Sequence, residues 1–366
     1  MFFVIGLAAG AWAPLVPFAK ERLSLSPGAL GLILLSAGAG SVVAMPAAGA
    51  LAARFGCRIV VVIAGIAIGL VFPLLVLAPS APALAVALLL FGAALGSIDC
   101  VINIQAIAVE RRAARPLMSG FHALYSLAGI VGAALVSGMI GASATPLAAA
   151  LVVAAAMLLA TLVARPGLLA ERAAEPGPTF ALPHESVVLI GAFCFVVFLA
   201  EGSALDWSAV LLRTAHGAGA AQAGLAYAAF SATMTGGRLA GDRLVGRLGP
   251  VRTVGFGALL AAAGLAAAAL APSWVLAAAG YALVGAGCAN IVPALFTLTG
   301  RQSAMPEASA VAAVSVLGYA GVLAGPAGIG LVANLTSLPA ALLVVAGLLI
   351  AVAIGAVRLR PAVAQS

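Results

Sequence analysis

The 366-residue chain is 64% hydrophobic and only 7% charged, with a formal charge of +7. So few polar groups cannot cover a water-facing surface, which excludes a soluble globule and makes lipid the expected solvent. The positive charge does not indicate a nucleic-acid partner, because Lys and Arg are scattered between apolar runs instead of sharing one polar face.

The chain opens MFFVIGLAAGAWAPLVPF, which has the length of a signal-peptide core but no positive segment before it, so it reads as a first spanning helix. A span beginning at residue 2 is unusual, and a few further cytoplasmic residues ahead of it are expected. About 20 apolar residues cross a ~30 Å hydrocarbon layer. By that measure twelve spans follow in order: 2–18, 28–52, 59–78, 82–109, 117–140, 146–164, 187–207, 219–239, 253–271, 274–298, 308–333 and 339–357. Small-residue stripes run through most of them, as helix packing in lipid requires. Cys57, Cys100, Cys194 and Cys288 offer neither a disulfide framework nor a zinc site.

Cations mark the cytoplasmic side. The even connections and the tail hold Arg54, Arg58, Arg111, Arg112, Arg115, Arg165, Arg172, Arg238, Arg243, Arg247, Arg252, Arg301, Arg358 and Arg360, fourteen of the seventeen Lys and Arg. The odd connections hold only Lys20, Arg22 and Arg213. Both termini are therefore expected in the cytoplasm of a multi-pass inner-membrane protein.

The connection 165–186 is longer, charged and proline-rich, and it divides the chain into bundles at 1–164 and 187–366. Two sets of six helices that enter and leave on one side can be related only by a parallel repeat. A gapless shift of 193 positions pairs Lys20 with Arg213, Arg54 with Arg247 and Gly56 with Gly249, and superposes LAPS at 77–80 on LAPS at 270–273. The expected fold is thus all-α: twelve transmembrane helices in two pseudo-symmetric six-helix bundles.

GALAARFGCR at 49–58 resembles the loop signature of the major facilitator superfamily, with Ala53 at the acidic position. Its repeat counterpart, GRLAGDRLVGRLGPVR at 237–252, carries an acid as Asp242. The stretches DCVINIQAIAVERR at 99–112, RPLMSGFHALYSLAG at 115–129, EGSALDWSAVLLR at 201–213 and GYAGVLAGPAGIG at 318–330 look like the YbjJ-like bacterial inner-membrane group, which is similar to fucose-type sugar permeases. The resemblance spans the chain and implies a proton-coupled or facilitated carrier of a small solute, without naming the solute. It implies a cytoplasmic gate at Gly49, Arg54, Gly56 and Arg58, with Asp242 and Arg247 opposite in the repeat. Gly321 and Gly325-Pro326 resemble an antiporter bending motif but lie in the eleventh span, so no direction of transport is read from them.

Ionisable residues at membrane depth are costly and point to function. Asp99 lies near the middle of the fourth span, with Asn103 one turn away and Glu110 two turns beyond, beside Arg111 and Arg112 as a gate or loop clamp. No Lys or Arg is expected at the depth of Asp99, which makes it the leading proton-coupling carboxyl. The fifth span carries Ser119, His122, Tyr125 and Ser126 at helical spacing. His122 is either a second proton group or a packing donor. In the seventh span Glu201 lies deeper than Asp206, which with Trp207 reads as an interfacial anchor. Aligning GAALG with ALVGAG, an offset of 191, makes Asn290 the counterpart of Asp99. Asn103, Tyr125, Asn290, Trp12 and Tyr319 are the candidate solute contacts, although single aromatics such as Tyr227 and Tyr281 are commonly core.

Three histidines, with His184 and His216 outside the spans, give no catalytic or metal constellation, so an enzyme is not expected and no cofactor is implied. A proton-coupled, monomeric secondary transporter is the reading; a passive facilitator, channel or membrane sensor is the alternative.

Overall fold

A computed structural model describes residues 1–170 and 182–359, and every described element is helical. The helices are α1 (Phe2–Trp12), α2 (Val16–Arg22), α3 (Pro27–Phe55), α4 (Cys57–Leu77), α5 (Ala81–Ala113), α6 (Met118–Gly141), α7 (Pro146–Ala164), α8 (Glu185–Thr214), α9 (Ala220–Ala223), α10 (Leu225–Leu248), α11 (Pro250–Leu270), α12 (Trp274–Cys288), α13 (Ile291–Thr299), α14 (Glu307–Leu335) and α15 (Leu338–Gly355). With α1–α2 and α12–α13 each counted as one crossing, eleven are long and apolar enough to span a bilayer. The twelfth, α10, carries Arg238, Asp242, Arg243 and Arg247. Half of the expected 165–186 connection, residues 171–181 including Arg172, and the tail with Arg360 lie outside the described residues.

The repeated string LAPS is a stop signal followed by a start signal. Leu77 ends α4 and Leu270 ends α11; Ala78 and Ala271 then leave helical geometry at ψ 119° and 139°, where a following proline pushes the residue before it. Ser80 Oγ accepts from Ala83 N at 3.4 Å, and Ser273 Oγ accepts from Leu276 N at 3.5 Å, capping the next helix. At the other end, Gly56 and Gly249 adopt φ of 91° and 78°, a region that disfavours side chains, and turn the chain into α4 and α11. The two helices therefore start and stop 193 residues apart, and both are 21 residues long.

The same offset governs packing. A Cβ on Gly92 of α5 would strike Ala37 O of α3, and one on Gly285 of α12 would strike Phe230 O of α10. Ser41 Oγ reinforces the first crossing by donating to Gly92 O at 2.8 Å, and Thr233 Oγ1 the second by donating to Ala282 O at 2.7 Å. Because the register still holds at Gly92 and Gly285, the counterpart of Asn290 is Ser97. The 191 offset that paired it with Asp99 is corrected accordingly.

The chain packs into two compact units. One contains Met1–Ala108, Leu124–Leu182 and Met305–Ala312; the other contains Val109–Ala123, Pro183–Ala304 and Ala313–Ser366. In the first, α1 meets α6 through small residues, with Gly6 under Tyr125 O and Gly10 under Gly129 O. In the second, Gly321 of α14 lies against Phe195 O of α8. Many large apolar side chains stay exposed, among them Leu32, Val43, Ile63, Val163 and Ile354, as lipid-facing positions do.

Candidate functional site

The second unit holds a buried ion pair. Arg238 Nη2 of α10 lies 3.8 Å from Glu201 Oε1 of α8, with the two side chains 7% and 19% exposed. Arg238 Nε donates to Ala289 O at 3.4 Å. Arg238 is thus not one of the loop cations. It lies inside a helix, and its charge is met by a carboxylate instead of cytoplasmic water. The span boundary at 239 already enclosed it, so position within the span was the available signal. The interaction fits the general pattern for charges at membrane depth, which pair with each other or with backbone carbonyls.

Next to the pair the tenth crossing is interrupted. The sequence predicts one helix over 274–298, but α12 ends at Cys288 and α13 begins at Ile291. Asn290, at φ −116° and ψ 4°, lies in the break and donates from Nδ2 to Gly237 O at 3.0 Å. Arg238 Nε meets Ala289 O, whose helical partner four residues on would be Pro293, a residue without an N–H, and side chains that satisfy such freed groups let a break persist away from water. His122 of α6 is buried, with Nδ1 2.9 Å from Met118 O and its ring stacked on Phe296 at 6.1 Å. Tyr319 stands edge-on to Phe198 at 6.3 Å, and Tyr281 is fully buried. Asp206 is exposed.

Two carboxylates converge on the N-terminus of α6, whose first amides lack helical partners. Glu110 Oε2 accepts from Leu117 N and Met118 N at 2.9 and 3.0 Å, while Oε1 accepts from Thr297 Oγ1 at 2.7 Å. Asp242 accepts from Gly120 N through both oxygens, at 3.2 and 3.1 Å. Negative charge at this end of a helix is also favoured by its dipole. The contribution of Thr297 was not apparent from the sequence, where it is one hydroxyl in an apolar run. Arg247 lies in the last turn of α10.

In the first unit, Asn103 Nδ2 donates to Asp99 O at 2.9 Å and reaches Asp99 Oδ1 at 3.4 Å. Asp99 is half-buried, Asn103 is buried, Trp12 is 8% exposed and Tyr125 is half-buried. Of the signature loop, Gly49 faces Ala308 O, with 3.2 Å to the position a Cβ would take. Arg54 lies over the Phe55 ring at 5.2 Å. Arg58 Nε donates to Leu168 O at 2.7 Å, and the buried Gln105 donates to Leu169 O at 3.1 Å. Sequence reasoning passed over Gln105 because nothing local distinguishes it from a lipid-shielded polar residue. Among the described residues no three His, Cys, Asp or Glu side chains gather as metal ligands.

A lipid-facing helical chain, built twice from one unit with charges enclosed at membrane depth, has the architecture of a secondary transporter. The family model for the Major Facilitator Superfamily matches the chain twice, over residues 1–205 and 191–365, and the chain belongs to that superfamily. An uncharacterized MFS-type transporter of Yersinia pestis is 49% identical over 357 residues, covering 97% of this chain and 93% of the relative. An uncharacterized transporter of Sinorhizobium fredii is 34% identical over 340 residues, covering 91% and 89%. Among solved structures, the E. coli fucose:proton symporter FucP superposes with a TM-score of 0.77 at 17% identity, covering 98% of this chain and 96% of that one.

Proposed function

We propose that this member of the superfamily is a proton-coupled carrier, moving a small solute across the bacterial inner membrane by alternating access of its two six-helix halves, 1–164 and 187–366. The sequence motifs further support placement with the YbjJ-like group. The observation carrying the reading is Asp99, a half-buried carboxyl at membrane depth whose Oδ1 lies 3.4 Å from Asn103 Nδ2. A carboxyl that gains and loses a proton there changes the charge a cavity presents, which is what coupling requires. Proton symport by a protein of the same fold, FucP, supports the choice of ion.

In this reading Asp99 is the coupling carboxyl, with Glu201 and His122 as further proton groups. Asn103, Tyr125, Asn290, Trp12 and Tyr319 supply solute contacts. Gly49, Arg54, Gly56, Arg58, Glu110, Asp242 and Arg247 form the cytoplasmic gate. The carrier acts as a monomer with both termini in the cytoplasm. A thermal-shift screen of sugars, organic acids and drugs on purified protein supplies the ligand, and proteoliposomes with an imposed proton gradient supply the test. Asp99→Asn should retain binding and counterflow but lose uphill accumulation, whereas Glu201→Gln should impair binding and coupling together. Undiminished gradient-driven accumulation by Asp99→Asn would refute the assignment.

A further inference from the structure

Arg238 and Asp242 take one side of α10, and two further arginines take the other. Arg243 and Arg247 are spaced i and i+4, and at about 100° per residue they share one helix face with Gly236 and Ala240, turned roughly 100–140° away from Asp242. All four are exposed. Leu239 and Leu244 flank this face and are 60% and 43% exposed, as lipid-facing residues are. Nothing lies within 4 Å of a Cβ on Gly236, so no protein group covers the face there.

The positive charge of this face is not met within the protein. Neither Arg243 nor Arg247 forms an ion pair or hydrogen bond with another described residue. The acids nearby are already engaged, Asp242 by Gly120 N and Glu110 by Leu117 N, Met118 N and Thr297 Oγ1. Pro116 of the α5–α6 turn lies against Gly246, 3.8 Å from the place of a Cβ there, which brings the exposed Arg115 alongside. Arg243 and Arg247 stand about 6 and 12 Å beyond the span's expected end at 239, where headgroups begin. Cations on this side are general to membrane proteins, but the duplication shows that the fold does not demand this pair. The 193 shift puts Ala50 of α3 at the place of Arg243 and Val43, 73% exposed, at the place of Gly236. Arg54, at the place of Arg247, lies over the Phe55 ring.

We propose that this face of α10 binds an anionic phospholipid of the cytoplasmic leaflet, with its phosphate on Arg243 and Arg247 and an acyl chain along Ala240 and Gly236. A guanidinium presents paired N–H donors that match phosphate oxygens, and uncompensated arginines at headgroup level select a net-anionic lipid over a zwitterionic one. Arg247 is a gate residue in the reading above, so the lipid sits beside the gate. Occupancy of the site is measured without transport, and its failure leaves the carrier reading standing.

Native mass spectrometry of the full chain tests the site, with the protein released from micelles that hold equal amounts of phosphatidylglycerol and phosphatidylcholine of the same acyl chains. Wild type should retain phosphatidylglycerol in preference. Arg243→Gln with Arg247→Gln should lower the retained ratio of the two lipids about thirtyfold, each arginine contributing about fivefold, and Arg243→Lys with Arg247→Lys should keep most of it. Arg301→Gln with Arg358→Gln removes the same charge from exposed positions elsewhere in the second unit and should leave the ratio at its wild-type value. An equal fall in that control would reduce the effect to general attraction and overturn the site, as would an unchanged ratio in the Arg243→Gln, Arg247→Gln variant. Displacement of phosphatidylglycerol by soluble glycerol phosphate at the same concentration would overturn the lipid as the occupant.

Discussion

A guanidinium inside a membrane-spanning helix remains charged, so Arg238 needs a counter-charge wherever the helix carries it. Glu201 supplies one at 3.8 Å, and each group is costly without the other. Glu201→Gln alone should therefore destabilise the protein by about 3 kcal/mol, because the guanidinium left behind cannot be neutralised, with Arg238→Gln costing less because the carboxyl left behind can take up a proton. The double variant should recover most of the loss. Thermal unfolding of the four proteins in one detergent, read as a double-mutant cycle, checks this; additive losses would mean that the pair does not interact. Glycine offers a second contrast at this scale. Gly31 has nothing within 4 Å of a Cβ, so Gly31→Ala should be neutral or stabilising by about 1 kcal/mol through helix propensity.

At the scale of elements, Gly92 and Gly285 let α3 meet α5 and α10 meet α12 at backbone distance. Alanine at either position would strike a carbonyl oxygen that cannot rotate away, so each substitution should cost about 1–3 kcal/mol by overpacking, and the two costs should be similar. A large difference in Tm between Gly92→Ala and Gly285→Ala would show that the two crossings, though geometrically equivalent, are not energetically so. The repeat is less even at the helix N-termini. Asp242 occupies the position that the 193 shift gives to Gly49, so a carboxylate caps α6 where its counterpart offers only a glycine to Ala308. Asp242→Ala should release the first turn of α6 and lower hydrogen-exchange protection at Gly120 and its neighbours, costing about 1 kcal/mol. Protection there equal to wild type would show that Glu110 holds the turn alone.

For the molecule as a whole, the positive-inside pattern expects reporters in the 165–186 connection to behave as cytoplasmic and those near 79–81 and 336–338 as periplasmic. Strong periplasmic activity at 165–186 would invert the map. The number and order of spans and the repeat were legible because they depend on apolar length, proline, serine caps and glycine, signals that act within a few residues. The ion pair was only half legible. Glu201 stood out as an acid in an apolar run, whereas Arg238, although inside the span ending at 239, was grouped with the loop cations, because its facing Glu201 depends on which way α10 presents it. Asn290 was singled out for its polarity, whereas the helix break around it depends on Gly237 and Arg238 of another helix, which no local pattern reveals.

The helices α4 and α11 are each 21 residues long and closed at both ends, by Gly56 and Pro79 in one case and by Gly249 and Pro272 in the other. At 1.5 Å per residue each is about 31 Å long, close to the thickness of a bilayer's hydrocarbon layer. Neither can add a turn, since a positive-φ glycine and a proline stop fix its limits. The protein thus carries two matched rulers set to one membrane. In vesicles of graded acyl-chain length, its thermal stability should peak near that thickness, and in thicker membranes both rulers should fall short together, leaving the lipid to thin around them.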